Sequence, residues 1–432
     1  MGYPEWVLRY KKKGTAIHKI RGNYYLYKIK SVWDKKLKRA KKITEEYLGK
    51  ITEEGLKQPG YRISRPTGCK ECGGSLFLYK ENEDIIERLR VYFPNRWKEI
   101  FCISAIRLMY QSALRHIEIE YQDSWISEII KGARLSKNTI GEILQEIGRD
   151  RERIVEFLRG FIVGGEKVLI DITNVFSVST DMILAEKGYN SQFDFTPQVN
   201  ILFIFSLDQK LPLFYRVLPG NVRDVSSIRT TIEESRIKDV IIIADKGFYS
   251  EENVKLLEKE GLKFIIPLRR NNKLIDYSLL KRGTKEVLDG YFKFQKRFIW
   301  YYKVKKKLPI WVYLDERLRA EEEQDYLGRI ETHPEDQYTI EEFHKKVFTF
   351  GTISLLTNLD LKGEQIYKYF KGRAEIEQMF DTFKNTINAD RSYMRNDFSL
   401  EGWFFVNFLS LVYYYRIYKR LMEEDLLNEY SV

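Results

Sequence analysis

Arg373, Glu377 and Lys384 are three ionisable residues whose spacing along the chain could form a charged site. At about 100° per residue in a helix, Glu377 lies about 40° and Lys384 about 20° around the axis from Arg373, so all three share one narrow stripe. A parallel apolar stripe predicts that the helix docks by that face; its members are Tyr369, Ile376, Met379, Phe380, Phe383 and Ile387. Taken alone, the helix favours a simpler interpretation, a solvated stripe with an Arg–Glu pair that contributes roughly 0.2–0.5 kcal/mol.

Two aspartates follow apolar runs in predicted strands, where an ionised carboxylate is costly; Asp171 lies in the middle of its strand and Asp245 at the end of its strand. Asp171 follows Lys-Val-Leu-Ile, and Asp245 follows Val-Ile-Ile-Ile-Ala, so each either caps its strand or binds a compensating partner such as a metal ion. If the strands are adjacent and the helix docks across the same sheet edge, Glu377 completes an oxygen-rich site of the kind that Mg²⁺ prefers. Two such ions about 3.5–4 Å apart would activate water or a 3′-hydroxyl and stabilise the leaving oxygen. Arg373 and Lys384 would then hold the phosphates.

The elements that must position these residues change type along the chain. From Lys167, three strands in hairpin order and then alternating helices and strands predict an α/β fold, a mixed sheet flanked by helices. The predicted segments are strands within 167–178 and 197–221 (with a turn at 208–210), a helix at 226–235, a strand at 239–245, a helix at 250–260 and a strand at 263–268. Residues 290–318 are β-rich, aromatic and basic, and the acidic residues 320–337 are expected to form an exposed loop.

The order of several motifs resembles that of a known family. The matching segments are Asp171 to Thr173, the Pro-Gln-Val at 197–199, Pro219 to Asp224, Ala244 to Ser250, Ser354 to Asp360, and a Y-x2-R-x3-E-x6-K signature at Phe370, Arg373, Glu377 and Lys384. The chain resembles the DDE transposases of bacterial and archaeal insertion sequences, in the group with a β-rich insertion between the second Asp and the Glu. The resemblance covers Lys167 to about Tyr418.

The resemblance implies an RNase H-like catalytic core. Asp171, Asp245 and Glu377 would be the catalytic residues and the ligands of two Mg²⁺ ions, with Mn²⁺ expected to substitute. Phe370, Arg373 and Lys384 would contact DNA. Phe370 stands where the family usually has Tyr, so a hydroxyl contact with phosphate is absent there or is made by Tyr369. The competing acid, Glu375, lies about 160° from Glu377 around the helix and does not keep the signature spacing.

We expect five segments, of which the third and the fifth form the catalytic core. They are a basic β-rich N-terminal module (1–60), a helical region predicted to bind DNA ends (61–165), the first part of the RNase H-like core (166–270), a β-rich insertion domain (271–346), and the second part of the core with C-terminal helices (347–432). The first two make a β-plus-helical DNA-binding region. Strands are predicted on both sides of Arg21-Gly22-Asn23. The helices near residues 136–161, for which Ser136 and Asn138 are candidate N-caps, suit a helix-turn-helix or an ordinary helical bundle.

The composition of the chain indicates which class of partner it binds. Lysine and arginine outnumber aspartate and glutamate by 73 to 62, a net charge of +11, which favours a polyanion and puts nucleic acid ahead of a membrane surface. Residues 402–419 are apolar but short for a span, and they contain Asn407 and Arg416, so we expect a buried helix. The N-terminus has no signal-peptide pattern, and three cysteines indicate a reducing, cytoplasmic setting. Cys69 and Cys72 have zinc-knuckle spacing, but a Gly-rich turn is favoured because two further ligands are not evident.

The resulting hypothesis is a Mg²⁺-dependent transposase. It would bind terminal inverted repeats, cleave at the transposon ends, with a DNA hairpin as the implied route for the second strand, and join 3′-hydroxyl ends to target DNA, as a homodimer in the DNA complex. The alternatives are a non-catalytic DNA-binding derivative and an RNase H-like structure-specific nuclease. Trp300 and Trp311, in a basic aromatic stretch, are candidates for stacking on an extruded base, against the simpler interpretation that both are core residues.

Overall fold

The computed structural model describes residues 2–34, 38–59, 69–163, 167–177, 179, 181–188, 196–222, 225–237, 240–244, 246–332 and 338–432. They fall into two compact units, Met1–Cys69 and Lys70–Val432. Asp245 lies outside the described residues, and so do residues 223–224 of the predicted motif Pro219 to Asp224.

The first unit is a four-stranded antiparallel sheet with the order β1-β2-β3-β4. Its elements are α1 (Glu5–Leu8), β1 (Thr15–Ile20), β2 (Asn23–Asp34), β3 (Arg39–Thr52) and β4 (Gly55–Lys57). The predicted turn after β1 is confirmed, because the two residues between β1 and β2 have positive φ values, 46° at Arg21 and 81° at Gly22. Glycine adopts such a value without strain. A small core of Val7, Leu26 and Ile51 lies under this sheet.

The second unit begins with a set of helices. They are α2 (Gly73–Glu81), α3 (Glu83–Tyr92), α4 (Trp97–Tyr110), α5 (Ile117–Asp123), α6 (Ile126–Ile129), α7 (Lys137–Arg149) and α8 (Arg151–Arg159). Of the two candidate N-caps, Ser136 is confirmed, because its side chain accepts a hydrogen bond from the backbone N–H of Thr139. Asn138 lies inside α7 and is not the cap. Helix α7 buries Ile140, Ile143 and Leu144, which is expected of a helix-turn-helix and of a helical bundle alike.

The strands of the second unit form two sheets. In chain order the elements are β5 (Val168–Ser177), β6 (Gln198–Ser206), β7 (Leu211–Pro219), α9 (Val225–Ser235), β8 (Ile241–Ile243), α10 (Glu251–Lys259) and β9 (Lys263–Leu268). The predicted hairpins are confirmed, because β5 pairs antiparallel with β6 and β6 with β7, whereas β8 and β9 are parallel. Since β5 also lies beside β8, the two sheets adjoin along these strands. The expected α/β class, a mixed sheet flanked by helices, is confirmed.

The β-rich segment continues the sheet that contains β8 and β9. The following elements are α11 (Ser278–Lys281), β10 (Gly290–Phe294), β11 (Arg297–Val304), β12 (Ile310–Asp315), α12 (Glu316–Thr332), α13 (Ile340–Lys346) and β13 (Thr352–Thr357). Strands β10 to β13 join β8 and β9 in one six-stranded sheet with the order β10-β11-β12-β13-β9-β8. The division of the chain into five functional segments stays a prediction.

The prediction of an acidic loop from residue 320 was wrong for the residues described, because residues 316–332 form the helix α12. Acidic and basic side chains one helical turn apart neutralise each other along it. The ion pairs are Arg317–Glu321, Arg319–Glu323 and Asp325–Arg329. Such i, i+4 pairs favour a helix, and glutamate itself is a good helix former. Residues 333–337 lie outside the described residues.

The chain ends with α14 (Gly363–Asp381), β14 (Arg391–Ser392) and α15 (Asp397–Glu423). The expected buried helix is confirmed, because α15 is buried from Gly402 to Tyr413. It packs against α4, α7 and β7. No helix among the described residues is long and apolar enough to cross a membrane.

The contact between α7 and α15 is a backbone contact at two glycines. A Cβ atom at Gly148 would overlap the carbonyl oxygen of Phe398 and lie 2.8 Å from the nitrogen of Gly402. A Cβ atom at Gly402 would overlap the carbonyl oxygen of Leu144 and lie 2.8 Å from its Cα. Only glycine at both positions allows the helices to approach this closely.

Gly402→Ala is therefore expected to destabilise the protein, because the added methyl group forces α15 away from α7. Overpacking of this kind costs about 1–3 kcal/mol, measurable as a lower midpoint in urea unfolding. Gly141→Ala, on the exposed side of α7 where nothing lies within 4 Å of the new Cβ, is the matched control. It should stabilise the protein by up to about 1 kcal/mol, since alanine is the better helix former. Equal stability of the two variants would contradict the glycine contact.

Candidate active site

Asp171 lies in the middle of β5, the strand that borders the second sheet. Its backbone pairs with Phe203 of β6, and the preceding residue, Ile170, is buried. The carboxylate is mostly buried, with 19% of the side chain exposed. Its Oδ1 atom accepts a hydrogen bond from the backbone N–H of Ile172 at 2.8 Å. The strand therefore fixes the carboxylate and leaves Oδ2 directed at another partner.

That partner comes from α14. The guanidinium of Arg373 contacts Oδ2 of Asp171 through Nη2 at 3.3 Å and through Nε at 3.4 Å. The same Nη2 lies 3.4 Å from Oε1 of Glu377, one helical turn further along. Two carboxylates from elements distant in the sequence thus contact one cation.

The apolar side of α14 explains why this stripe faces β5. Ile376 and Met379 are buried, and beyond the end of α14 the Phe383 ring lies 5.3 Å from that of Phe203 on β6. Docking by this face leaves Arg373, 22% exposed, at the edge of the contact and Glu377, 58% exposed, towards solvent.

Glu375, the competing acid on α14, forms an ion pair with a side chain other than Arg373. Lys210, in the turn between β6 and β7, donates to both carboxylate oxygens of Glu375, at 2.5 and 2.7 Å. Its side chain therefore lies on a different side of the helix from Glu377, which contacts Arg373.

The third predicted acid, Asp245, lies outside the described residues. The strand that precedes it, β8, is beside β5. The backbone N–H of Ala244 donates to the carbonyl of Ile265 at 3.2 Å, so the pairing with β9 extends to residue 244. On α14 nearby, burial lowers the pKa of the Lys371 ammonium, and the charge of Lys246 adds to this effect.

A divalent cation suits the donor set of Asp171 and Glu377. Both offer carboxylate oxygens, the ligands that Mg²⁺ takes in proteins, and both now contact the positive charge of Arg373. The described residues, which do not include Asp245, contain no group of three or more potential metal ligands.

Lys384 lies in an irregular turn that the sequence did not indicate. The α-helical pattern of α14 gives way to a π-helical turn at Thr382–Thr386. A π-turn changes the angle per residue, so the 20° offset calculated for a regular helix does not apply to Lys384. Turns of this kind are frequent at functional sites, and this one has no sequence signature that we recognise.

Arg107 on α4 is a residue of the site's surroundings that sequence analysis missed. It is 3% exposed, and burial lowers the pKa of its guanidinium to about 10. It donates to Asn407 Oδ1, to the carbonyl of Ser112, and to the carbonyls of Ile387 and Asn388, the last two just after the π-turn. A signal was available, since Arg107 follows seven buried residues, 100–106, that are almost all apolar.

Phe370 and its neighbour have separate surroundings. Phe370 is half-buried and packs against the main core, and Tyr369 lies near Lys167, whose Nζ is 5.4 Å from the ring centroid. Neither position tests a contact with phosphate, which stays a prediction.

The two predicted stacking tryptophans lie on opposite faces of the six-stranded sheet. Trp311 is 8% exposed, packs against Tyr301 at 5.8 Å, and closely approaches Gly363 at the start of α14. Trp300 is half-buried on the other face, where its ring lies 5.0 Å from that of the exposed Tyr291 and 5.2 Å from Lys285 Nζ. The burial of Trp311 is typical of a core residue, so Trp300 is the better candidate.

Within the described residues, the three cysteines belong to no group of three or more potential metal ligands. Cys69 and Cys72 are exposed free thiols, and Cys102 is buried in α4. Burial raises the pKa of the Cys102 thiol.

Comparison with known proteins gives one strong match and several weak ones. Residues 165–413, more than half of the chain, match the model of a family described as the transposase DDE domain. No curated protein matches the chain.

Among solved structures, the similar ones include three transposases. A cryo-EM structure of a piggyBac transposase synaptic complex with hairpin DNA has 14% identity, a TM-score of 0.39, and coverage of 84% of this chain and 78% of that chain. A Mos1 transposase paired-end complex with the left transposon end has 10% identity, a TM-score of 0.18 and coverage of 78% and 84%. A Drosophila P element transposase strand transfer complex has 12% identity, a TM-score of 0.23 and coverage of 80% and 88%. At these TM-scores the likenesses carry no argument about this chain.

Arg373→Gln tests whether the guanidinium neutralises the two carboxylates. Without it, repulsion between Asp171 and Glu377 should lower the melting temperature by several degrees when no divalent cation is present. Added Mg²⁺ should then raise the melting temperature more in the variant than in the parent, because a ligand that binds only the folded state stabilises it. Lys210→Gln, which removes the cation beside Glu375, is the control and should respond to Mg²⁺ as the parent does. Equal responses of all three proteins in thermal unfolding would contradict this role.

Proposed function

The chain belongs to the transposase DDE domain family, and on that premise we propose that it is the transposase of an insertion sequence. It binds the terminal inverted repeats, cleaves at the transposon ends, and joins the freed 3′-hydroxyl to target DNA. The observation that carries the proposal is the contact of Asp171 and Glu377 with one guanidinium. This contact brings together two of the three acids from β5 and α14.

Members of this family generally use divalent metal ions. In the proposal Asp171, Asp245 and Glu377 hold two Mg²⁺ ions, for which Mn²⁺ substitutes. Bound there, the ions would activate the attacking oxygen and stabilise the negative charge on the leaving oxygen. The partly exposed Glu377 suits this role, because its carboxylate is accessible from solvent.

The chemistry consists of four displacements at phosphorus. In cleavage, the oxygen of water attacks the phosphate at the transposon end, the P–O3′ bond breaks, and a 3′-hydroxyl is released. That 3′-hydroxyl attacks a phosphate of the opposite strand to form the hairpin, and the 3′-oxygen of the flanking DNA leaves. Water then attacks the hairpin phosphate and releases the transposon 3′-hydroxyl again. In joining, that 3′-hydroxyl attacks a phosphate of the target, and the target's own 3′-oxygen leaves. Each displacement releases one proton from the attacking oxygen and returns one to the leaving oxygen.

The cations on α14 and after it position the DNA. Arg373 offers a planar set of N–H donors that can bind two phosphate oxygens at once, and Lys384 adds a point charge. Phe370 contacts the DNA by packing, since it has no hydroxyl. In this proposal the phosphate of the bound end replaces the carboxylates as the partner of the Arg373 guanidinium.

The second strand is cut through a DNA hairpin, and a homodimer holds the two ends. A hairpin extrudes a base from its stack, and such a base is stabilised by about 1–3 kcal/mol when it stacks on an aromatic ring. Trp300, with Tyr291 beside it and Lys285 near its ring, supplies that surface.

Replacing Asp171, Asp245 or Glu377 by alanine should abolish cleavage and keep binding to the ends, because metal coordination is removed while the phosphate contacts remain. Glu375→Gln, two residues from Glu377 on the same helix, is the matched control and should cleave within about tenfold of the parent. The assay is incubation of duplex ends with Mg²⁺, analysed on a denaturing gel. Supplying a precleaved end with a target plasmid tests joining: cleavage without joined strands would indicate a nuclease, and binding without either would indicate a non-catalytic protein.

Trp300→Ala should leave first-strand nicking intact and reduce the hairpin product at least tenfold, because the extruded base loses its stacking surface. Trp311→Ala is the comparison and should lower the melting temperature, as expected when a buried side chain is removed. If Trp300→Ala reduces nicking and hairpin equally and also lowers the melting temperature, Trp300 is a core residue and the stacking role is wrong.

A further inference from the structure

The N-terminal unit carries a two-stranded extension beyond its sheet. The pairing of β1 with β2 ends at Lys28, and the pairing of β4 with β3 is confined to residues 50–52. Within residues 2–34 and 38–59, the outer halves of β2 and β3 therefore pair with each other, and the one further backbone contact is at their inner end, where the N–H of Ile29 donates to the carbonyl of Gly14 at 2.8 Å. We call residues 29–34 and 39–44 the β-ribbon. Its six residue pairs run from Ile29↔Thr44 to Asp34↔Arg39, about 20 Å at roughly 3.4 Å per residue.

The β-ribbon is exposed on both faces. Every residue from 30 to 33 and from 39 to 44 is exposed, including Trp33, whose side chain is 64% exposed. A two-stranded ribbon without a third layer is marginally stable in water, and its unpaired edges favour unwanted strand pairing. Lysines on the strands reduce the risk of unwanted strand pairing. They do not explain the exposed tryptophan, which contributes nothing to that protection. The features together indicate a surface that is covered by a partner.

The charges of the β-ribbon indicate the partner's chemistry. The cross-strand pairs place Lys30, Arg39 and Lys41 on one face, together with the single acid Asp34 and the exposed apolar residues Val32 and Ile43. The other face carries two hydroxyl groups, one lysine and one large aromatic ring; its residues are Ile29, Ser31, Trp33, Ala40, Lys42 and Thr44. Three cations on one face and hydroxyl groups with a lysine on the other complement a polyanion with a narrow recess.

We propose that the β-ribbon docks in the major groove of duplex DNA. Strands in a ribbon lie about 4.8 Å apart, and a two-stranded ribbon fits a groove about 12 Å wide. The face of Ser31, Trp33 and Thr44 is directed at the base edges, where hydroxyls can hydrogen-bond. The long side chains of Lys30, Arg39 and Lys41 leave from the outward face, level with the phosphates that form the groove rim. This assignment rests on DNA as the partner under the proposed function, and it does not depend on cleavage.

The test is the salt dependence of duplex binding by the full chain. The variant combines Lys30→Gln, Arg39→Gln and Lys41→Gln, and the matched control combines Lys11→Gln, Lys12→Gln and Lys13→Gln, exposed residues of the same unit with the same change of charge. Both are made in a Glu377→Gln background so that the DNA stays intact. Fluorescence anisotropy is measured with a labelled duplex of arbitrary sequence and, separately, with a duplex of the element's own end.

The variant should bind both duplexes more weakly, and the slope of log K against log salt should become shallower by up to about 2.7, at about 0.9 for each phosphate that the protein no longer neutralises. The control should keep the parent slope. Trp33→Ala should weaken binding at least threefold with an unchanged slope, because it removes an interaction that is not ionic. Circular dichroism and thermal unfolding check that each variant folds as the parent does.

Three results would overturn the proposal. One is a variant slope equal to that of the control, and another is a Trp33→Ala variant that binds both duplexes as the parent does. The third is a β-ribbon variant that changes the oligomeric state in sedimentation while DNA binding stays unchanged, which would assign the surface to a second copy of the chain. In each case, intact cleavage and joining by the same substitutions with Glu377 restored would leave the proposed function standing.

Discussion

The backbone contact between α7 and α15 is the constraint on which the rest of the second unit depends. With glycine at 148 and 402 the two helices approach closely enough to bury α15 over most of its length. Aromatic rings on α15 then reach the sheet and the turn that follows α14: the Phe408 ring lies 5.2 Å from that of Tyr215 on β7, and the Phe404 ring stacks 6.4 Å from that of Phe383. Because Phe383 also packs on Phe203 of β6, α15 helps to fix how α14 lies across β5. The position of Arg373 and Glu377 is thus set partly by a helix that carries neither.

Two arginines, the buried Arg107 and the partly buried Arg151, join the N-terminal helices to this core by binding polar groups of the sheet and of the C-terminal elements. Arg107 binds the carbonyls that follow the π-turn, so α4 holds the backbone just beyond Lys384. Arg151, on α8, binds Glu234, Glu401 and the carbonyl of Tyr215, and its pKa is raised by these acids despite its burial. A buried guanidinium costs several kcal/mol when it loses its partners, so these contacts strongly favour the assembled arrangement of helices and sheet. The helices of residues 70–160 and the elements that carry Asp171 and Glu377 therefore share one compact unit.

Most elements of the second unit could be predicted because their signals are local. Alternating and continuous apolar runs indicate the strands β5 to β9, and Ser136 and Ser250 are strong N-caps of the helices that follow them. The apolar stripe of α14 indicates which side of that helix docks. Three features could not be predicted in the same way. Acidic composition suggested a loop where ion pairs along α12 favour a helix. The π-turn at Thr382–Thr386 depends on tertiary packing, and no residue type requires it. Besides the nearby carbonyl of Ser112, the partners of Arg107 lie about 280 to 300 residues away in the sequence, so no local pattern could identify those contacts.

The electrostatics of the site connect its resting geometry with the proposed chemistry. Asp171 and Glu377 contact the same Nη2 atom, so the carboxylates are held near each other by the cation that is also the proposed phosphate ligand. The neighbouring acid Glu375 forms an ion pair with Lys210, so its negative charge is neutralised outside this cluster. One guanidinium cannot keep both carboxylates and also bind a phosphate in bidentate fashion. Under the proposed function, the carboxylates must therefore acquire another positive partner when Arg373 turns to the DNA. Binding of the transposon end and loading of the acidic site are then coupled through a single side chain.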